Sequence, residues 1–164
     1  MNAATHQSPC EICNRIEQCR RGEHPGLIAE LDTGWAVLGD VQFFAGYSLL
    51  YCKHLATELD DLPRDVRVRY LEEMAQLAAA VRSVVQPYKL NYECLGNKVH
   101  HLHWHVFPRY PDDPQPEKPV WGQLPLGREA NDWKFSIARH GELRDRLRQT
   151  LMEIRRNDRA AGPV

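Results

Sequence analysis

The run His100-His101-Leu102-His103-Trp104-His105-Val106-Phe107-Pro108-Arg109 alternates imidazoles with apolar side chains from position 101 onward. Successive side chains of a β-strand point to opposite faces. His101, His103 and His105 therefore share one face, about 6.6 Å apart along the strand from each to the next. Leu102, Trp104 and Val106 share the other face, which is read as the core face. A single strand histidine is ordinarily a solvated side chain. Three in register, backed by so apolar a face, put three titratable rings within mutual reach and mark a candidate functional site. His100 lies off this ladder and is read as an ordinary residue. Two chemistries use such a set. Imidazoles on alternate strand positions bind a metal ion. Alternatively, an unprotonated imidazole attacks phosphorus while its neighbours donate to phosphate oxygens or to the leaving group. An ordinary imidazole pKa near 6.5 allows both roles at neutral pH, so the pattern itself leaves both open.

Before the ladder, residues 89–95 read as a strand joined to the strand at 102–108 through Gly96-Asn97. Residues 63–86 predict the longest helix. Tyr70, Met74, Leu77, Val81 and Val84 recur at helical spacing, with Arg64, Asp65, Glu72, Glu73, Gln76 and Arg82 on the other side. Pro63 suits its first turn and Pro87 ends it. Residues 26–31 and 34–38 are apolar runs around Asp32-Thr33-Gly34, a hairpin signal, and 46–52 reads as a third strand. Residues 10–21 predict a short helix stopped by Gly22, after a polar tail at 1–9. Residues 111–127 hold Pro111, Pro114, Pro116, Pro119 and Pro125 and read as an ordered arm, acidic at its start, with Trp121 as an apolar anchor. A terminal helix is expected over 141–157, with Leu143, Leu147, Leu151 and Ile154 in one stripe and its many arginines on a solvated face. The pattern is α+β: an antiparallel sheet with one long helix and a C-terminal helix. Residues 1–110 form the site-bearing part, and 111–164 add the arm and last helix to the same domain.

The chain has 164 residues, enough for one domain that needs no disulfide or metal merely to fold. Lys plus Arg is 21 and Asp plus Glu is 22, so no basic excess points to a nucleic-acid partner. Apolar runs reach at most five residues, so no membrane span is expected. The first ten residues lack a basic region and an apolar core, so no secretory signal is read. Five cysteines in such a chain fit a reducing, cytoplasmic setting, as thiols or metal ligands.

The segment His101-Leu-His103-Trp-His105-Val-Phe resembles the signature of the histidine triad (HIT) superfamily. Asn91-Tyr-Glu-Cys-Leu-Gly96-Asn97-Lys-Val99 is similar to the family's lead-in, Pro108-Arg109 to the pair that follows it, and Gly46-Tyr47-Ser-Leu-Leu to its Gly-His strand. The resemblance covers roughly residues 10–110 and is nearest the bacterial diadenosine tetraphosphate hydrolase-like branch. It implies a HIT-like fold and a homodimer. It further implies catalytic roles for His101, His103 and His105. His103 would attack the α-phosphorus of a nucleotide, the backbone carbonyl of His101 would hold the other nitrogen of His103, and His105 would donate to a phosphate oxygen. Gly96, Asn97 and Asn91 stand where the family contacts substrate. Two departures bear on substrate choice and rate: Tyr47 stands where the family often has a fourth histidine, and Asn97 where it commonly has glutamine.

Cys10-Glu-Ile-Cys13 is a C-x-x-C pair, too little alone to close a tetrahedral site. Some HIT proteins complete such a pair with two histidines. The resemblance implies a closed structural zinc held by Cys10, Cys13, His54 and His101, although Lys53-His54 runs one position short of the family's spacing. No organic cofactor is expected. The readings are then a HIT-family nucleotide hydrolase, a phosphorylase or nucleotidyltransferase using the same histidine, or a non-enzymatic nucleotide- or zinc-binding module.

Overall fold

A computed structural model of the chain describes residues 10–125 and 129–162. The tail at 1–9 and the last residues of the expected arm, 126 and 127, lie outside the described residues. In chain order the elements are α1 (Glu11–Arg20), β1 (Leu27–Glu30), β2 (Gly34–Leu38), β3 (Ser48–Cys52), α2 (Arg64–Val85), β4 (Lys89–Glu93), β5 (His103–Arg109) and α3 (Ile137–Ala161). The strands form one antiparallel sheet in the order β1-β2-β3-β5-β4. The α+β architecture expected from the sequence is the one observed.

Both faces of the sheet are covered, so every residue of β2 and β3 is buried. Ile28, Leu38, Leu50 and Val106 face α2 and α3 and pack on Leu77, Val81, Leu147 and Leu151. Leu102 belongs to this cluster and Trp104 packs against it, as the alternation around the histidines requires. The other face carries Trp35, Val37, Leu49, Tyr51 and Phe107, covered by Ile12 and Ile16 of α1 and by Val120 of the arm. The histidine side of β5 belongs to this second layer: His103 pairs with Tyr51 and His105 with Leu49 on β3.

Three readings change in the folded chain. Pro63 is the N-cap of α2, one position before its first turn. Glu73 and Gln76 are buried, although their charge and polarity place them on the solvent side by pattern alone. The reason is a polar joint. Glu73 Oε1 accepts the Asp32 N–H at 2.6 Å, and Oε2 accepts the Thr33 N–H at 3.1 Å and its hydroxyl at 2.7 Å. Arg155 of α3 completes the joint, reaching Glu73 at 3.3 Å, Gln76 at 2.9 Å and Asp32 at 3.1 Å. A buried carboxylate is tolerated because its lone pairs are met. Finally, α3 begins at Ile137, capped by the Ser136 hydroxyl, and several of its arginines are not simply solvated. Arg148 donates to the carbonyls of Ile28 and Leu27 at 2.7 Å each, and Arg144 to that of Pro25 at 3.0 Å. The Arg148 contacts occupy carbonyls on edge strand β1, which blunts it as a template for pairing with another chain.

Candidate active site

All three ladder histidines are buried, and each has a ring nitrogen engaged by a different partner. His101 Nε2 lies 2.7 Å from the Cys52 carbonyl at the end of β3. A carbonyl only accepts, so Nε2 carries the proton of this bond. Nδ1 of the same ring lies 3.4 Å from Cys13 Sγ and 3.9 Å from Cys10 Sγ. His103 Nδ1 lies 2.6 Å from the His101 carbonyl. By the same argument Nδ1–H donates, and Nε2 is the available lone pair. Burial lowers the His103 pKa, opposed by that hydrogen bond. His105 Nδ1 lies 2.6 Å from the Tyr47 hydroxyl. Burial first, and His103 second, push His105 down to about 3, so it is neutral at physiological pH.

The rings of His103 and His105 border two cavities. One, of about 390 Å³, is walled by Glu11, Ile12 and Arg15 of α1 and by Asp40. The other, of about 350 Å³, is walled by the 95–99 turn, where Gly96 has φ +69°, a conformation that favours glycine. Trp121 borders both, standing edge-on to His105 with ring centroids 5.0 Å apart, and its indole N–H donates to Glu93. Buried Arg109 ties down the arm that carries Trp121. It donates to Asp113 at 2.6 Å, to the Lys118 carbonyl at 2.8 Å and to the Gln115 carbonyl at 3.1 Å.

The structure brings together most of the expected residues. Gly96 and Asn97 border the second cavity beside His103. Asn91 does not border either cavity. Its Oδ1 accepts from Arg109 at 2.9 Å, so it braces the arm. His54 is also out of place as a fourth metal ligand. The chain turns sharply after β3, with the His54 carbonyl accepting from the Ala56 N–H at 2.9 Å, and the ring is exposed. Among the described residues, the donor atoms that converge within 4.8 Å belong to Cys10, Cys13 and His101 alone. Sequence reasoning missed Arg15 and Asp40, whose ion pair sits in the wall of the first cavity. Nothing local in their neighbourhoods distinguishes them from surface charges.

The family model of the HIT domain matches residues 27–112, just over half of the chain. The chain belongs to the HIT family. Among solved structures, a histidine triad protein from Marinobacter aquaeolei aligns with TM-score 0.68 and 23% identity, over 78% of this chain and 89% of that one. One from Sinorhizobium meliloti gives 0.67 and 24%, over 80% and 93%. A zinc-bound histidine triad family protein from Mycobacterium smegmatis gives 0.59 and 20%, over 90% and 96%. No curated protein matches the chain. Each of these structural relatives shares the fold.

In this HIT protein the Cys10–Cys13–His101 cluster fits zinc by its chemistry. Two thiols and an imidazole are zinc's preferred donors. The His101–Cys52 hydrogen bond presents Nδ1 in the tautomer a metal requires. Burial, then the Cys10 thiol, push Cys13 up to about 11, so that thiol stays protonated unless a cation favours its thiolate. The cluster also holds the start of α1, where Cys10 is the N-cap, over the histidine face.

Proposed function

We propose that this protein is a nucleotide hydrolase that works through a nucleotidyl-histidine on His103. The supporting observation is the 2.6 Å bond from His103 Nδ1–H to the His101 carbonyl, which keeps Nε2 unprotonated beside both cavities. Nε2 attacks the α-phosphorus, an N–P bond forms, and the bond to the leaving-group oxygen breaks with its electron pair. Water then attacks the same phosphorus, releasing the nucleoside monophosphate and returning Nε2 to its neutral form. His105 is the donor to phosphate oxygens, and Gly96 and Asn97 contact the phosphate side from the second cavity. Two cavities meeting at the nucleophile suit a substrate with a group on either side of the phosphate chain, as in diadenosine tetraphosphate. On this reading the protein belongs to the bacterial diadenosine tetraphosphate hydrolase-like branch. A structural zinc on Cys10, Cys13 and His101, a homodimeric assembly and a cytoplasmic setting complete the proposal. When bound, zinc neutralises the two thiolates and pins α1.

The test is turnover of diadenosine tetraphosphate, diadenosine triphosphate, an adenosine phosphoramidate and UDP-glucose, with and without inorganic phosphate. Phosphate-independent cleavage of one of them, together with a single nucleotidyl adduct by intact-mass spectrometry that is absent in His103→Ala, is expected. Cleavage only with phosphate would make the protein a phosphorylase. Binding without turnover by the folded wild type would make it a binding module instead.

A further inference from the structure

The Tyr47 side chain, where the family often has a fourth histidine, is built into the site. Its ring is buried and stacks on Phe107, with centroids 3.9 Å apart and planes within 5°. Its backbone carbonyl accepts from the Gly39 N–H at 2.9 Å and from the Gln42 amide at 2.9 Å. Gly39 makes room for it: a Cβ there would lie 2.3 Å from the tyrosine ring. The phenol is thereby held against one atom, His105 Nδ1, at 2.6 Å.

We infer that Tyr47 is a positioning residue that locks His105 in the tautomer with its proton on Nε2. The inference rests on the nucleotidyl-transfer reading for its catalytic consequence and on geometry for the tautomer. A 2.6 Å contact between a hydroxyl and an imidazole nitrogen needs one proton between them. If Nδ1–H donated, the phenol's own proton would have to find another acceptor, and among the described residues the hydroxyl's hydrogen bond is to His105. A buried O–H left unmade is costly. The lower-energy arrangement is O–H to bare Nδ1, which puts the imidazole proton on Nε2. Burial holds the tyrosine well above its ordinary pKa, so the phenol keeps the proton it donates. Nε2–H is then a neutral donor on a ring that borders both cavities, beside the nucleophile. It favours negative charge building on a phosphate oxygen in the transition state over the ground state. A histidine can carry its proton on either ring nitrogen, so its role as donor depends on its own tautomer. A tyrosine with a buried phenol has no such ambiguity.

The experiment is two-bond nitrogen–proton correlation NMR of His105 in the full-length wild type and in Tyr47→Phe, alongside steady-state kinetics with diadenosine tetraphosphate. The wild type is expected to show a bare Nδ1 and a protonated Nε2. Tyr47→Phe, which keeps the ring and its stacking, is expected to mix the two tautomers and lower kcat about tenfold, the worth of one hydrogen bond, with KM nearly unchanged. A wild-type His105 protonated on Nδ1 would overturn the inference, and so would Tyr47→Phe with unchanged kcat. If the wild type shows the Nε2–H tautomer but turns over no nucleotide, the transfer reading and the catalytic role fall together while the tautomer lock stands.

Discussion

On the helix face of the sheet, the buried Glu73 carboxylate accepts from Asp32 and Thr33 in the β1–β2 turn and from Arg155 on α3. On the opposite face, the buried His103 and His105 each have one ring nitrogen in a short bond, and their rings border cavities. Both faces bury polar groups, so burial alone does not distinguish scaffold from site. Completion does. A carboxylate whose lone pairs are all met is inert and joins elements together. An imidazole with one nitrogen tied is oriented, and its second nitrogen is still available for chemistry. The same contrast holds for charge. Arg155 closes a structural joint, whereas the neutral histidines keep their donor and acceptor roles because burial disfavours their charged forms.

This contrast can be broken at either face. His103→Ala is expected to reduce diadenosine tetraphosphate turnover by about 10⁴-fold while leaving the urea midpoint nearly unchanged. A variant that kept its activity would remove the histidine face from the chemistry. Glu73→Ala is expected to do the reverse. It strands Arg155 and the Asp32 and Thr33 amides, costing about 3–5 kcal/mol in urea unfolding, with kcat per folded molecule preserved. A loss below 1 kcal/mol would show that the joint is not a stability element.

Two smaller effects sharpen the contrast. Zinc at 100 times its dissociation constant is expected to stabilise the protein by about 3 kcal/mol, with one ion per chain by elemental analysis. Cys13→Ser should abolish that response. A wild type indifferent to both zinc and chelator would count against the cluster as a metal site. The last effect is acid sensitivity. The folded pKa of His105, about 3, lies below its ordinary value of 6.5. The unfolded chain therefore takes up a proton that the folded one refuses, and stability falls as pH drops through 6.5 toward 3. Between pH 7 and 5 this amounts to about 2 kcal/mol from His105. His105→Gln should flatten that part of the profile, and an unchanged slope would mean that His105 protonates in the folded state.

Much of the fold is legible because its signals are local. The period of two in 101–107 assigns Leu102 and Val106 to the core and the histidines to the other layer. The helical period from Tyr70 to Val84 recovers α2 to within a residue or two, and Asp32-Thr33-Gly34 marks the hairpin between β1 and β2. Glu73 and Gln76 are misread by the same logic, since a polar residue counts as exposed until its partners are known. The arginines of α3 are misread for that reason too: Arg148 looks solvated until the Leu27 and Ile28 carbonyls, about 120 positions earlier, are placed beside it. At the site, the Cys10–Cys13 spacing was readable, but its convergence on His101 needs residues 88 and 91 positions apart. His54 had the right residue type, and only the turn after β3 excludes it.

The antiparallel α+β class, the long helix, the hairpin and the face on which three histidines stand are all written in short stretches of sequence. These follow from backbone periodicity and from glycine and proline, which act within a few residues of themselves. Which nitrogen of each histidine is tied, the contact of Tyr47 with His105, the use of Asn91 by the arm and the place of Arg15 and Asp40 in a cavity wall emerge in the folded chain alone. Those are pairings between distant segments. They form where chain closure places two groups within about 3 Å, and no local pattern encodes that distance.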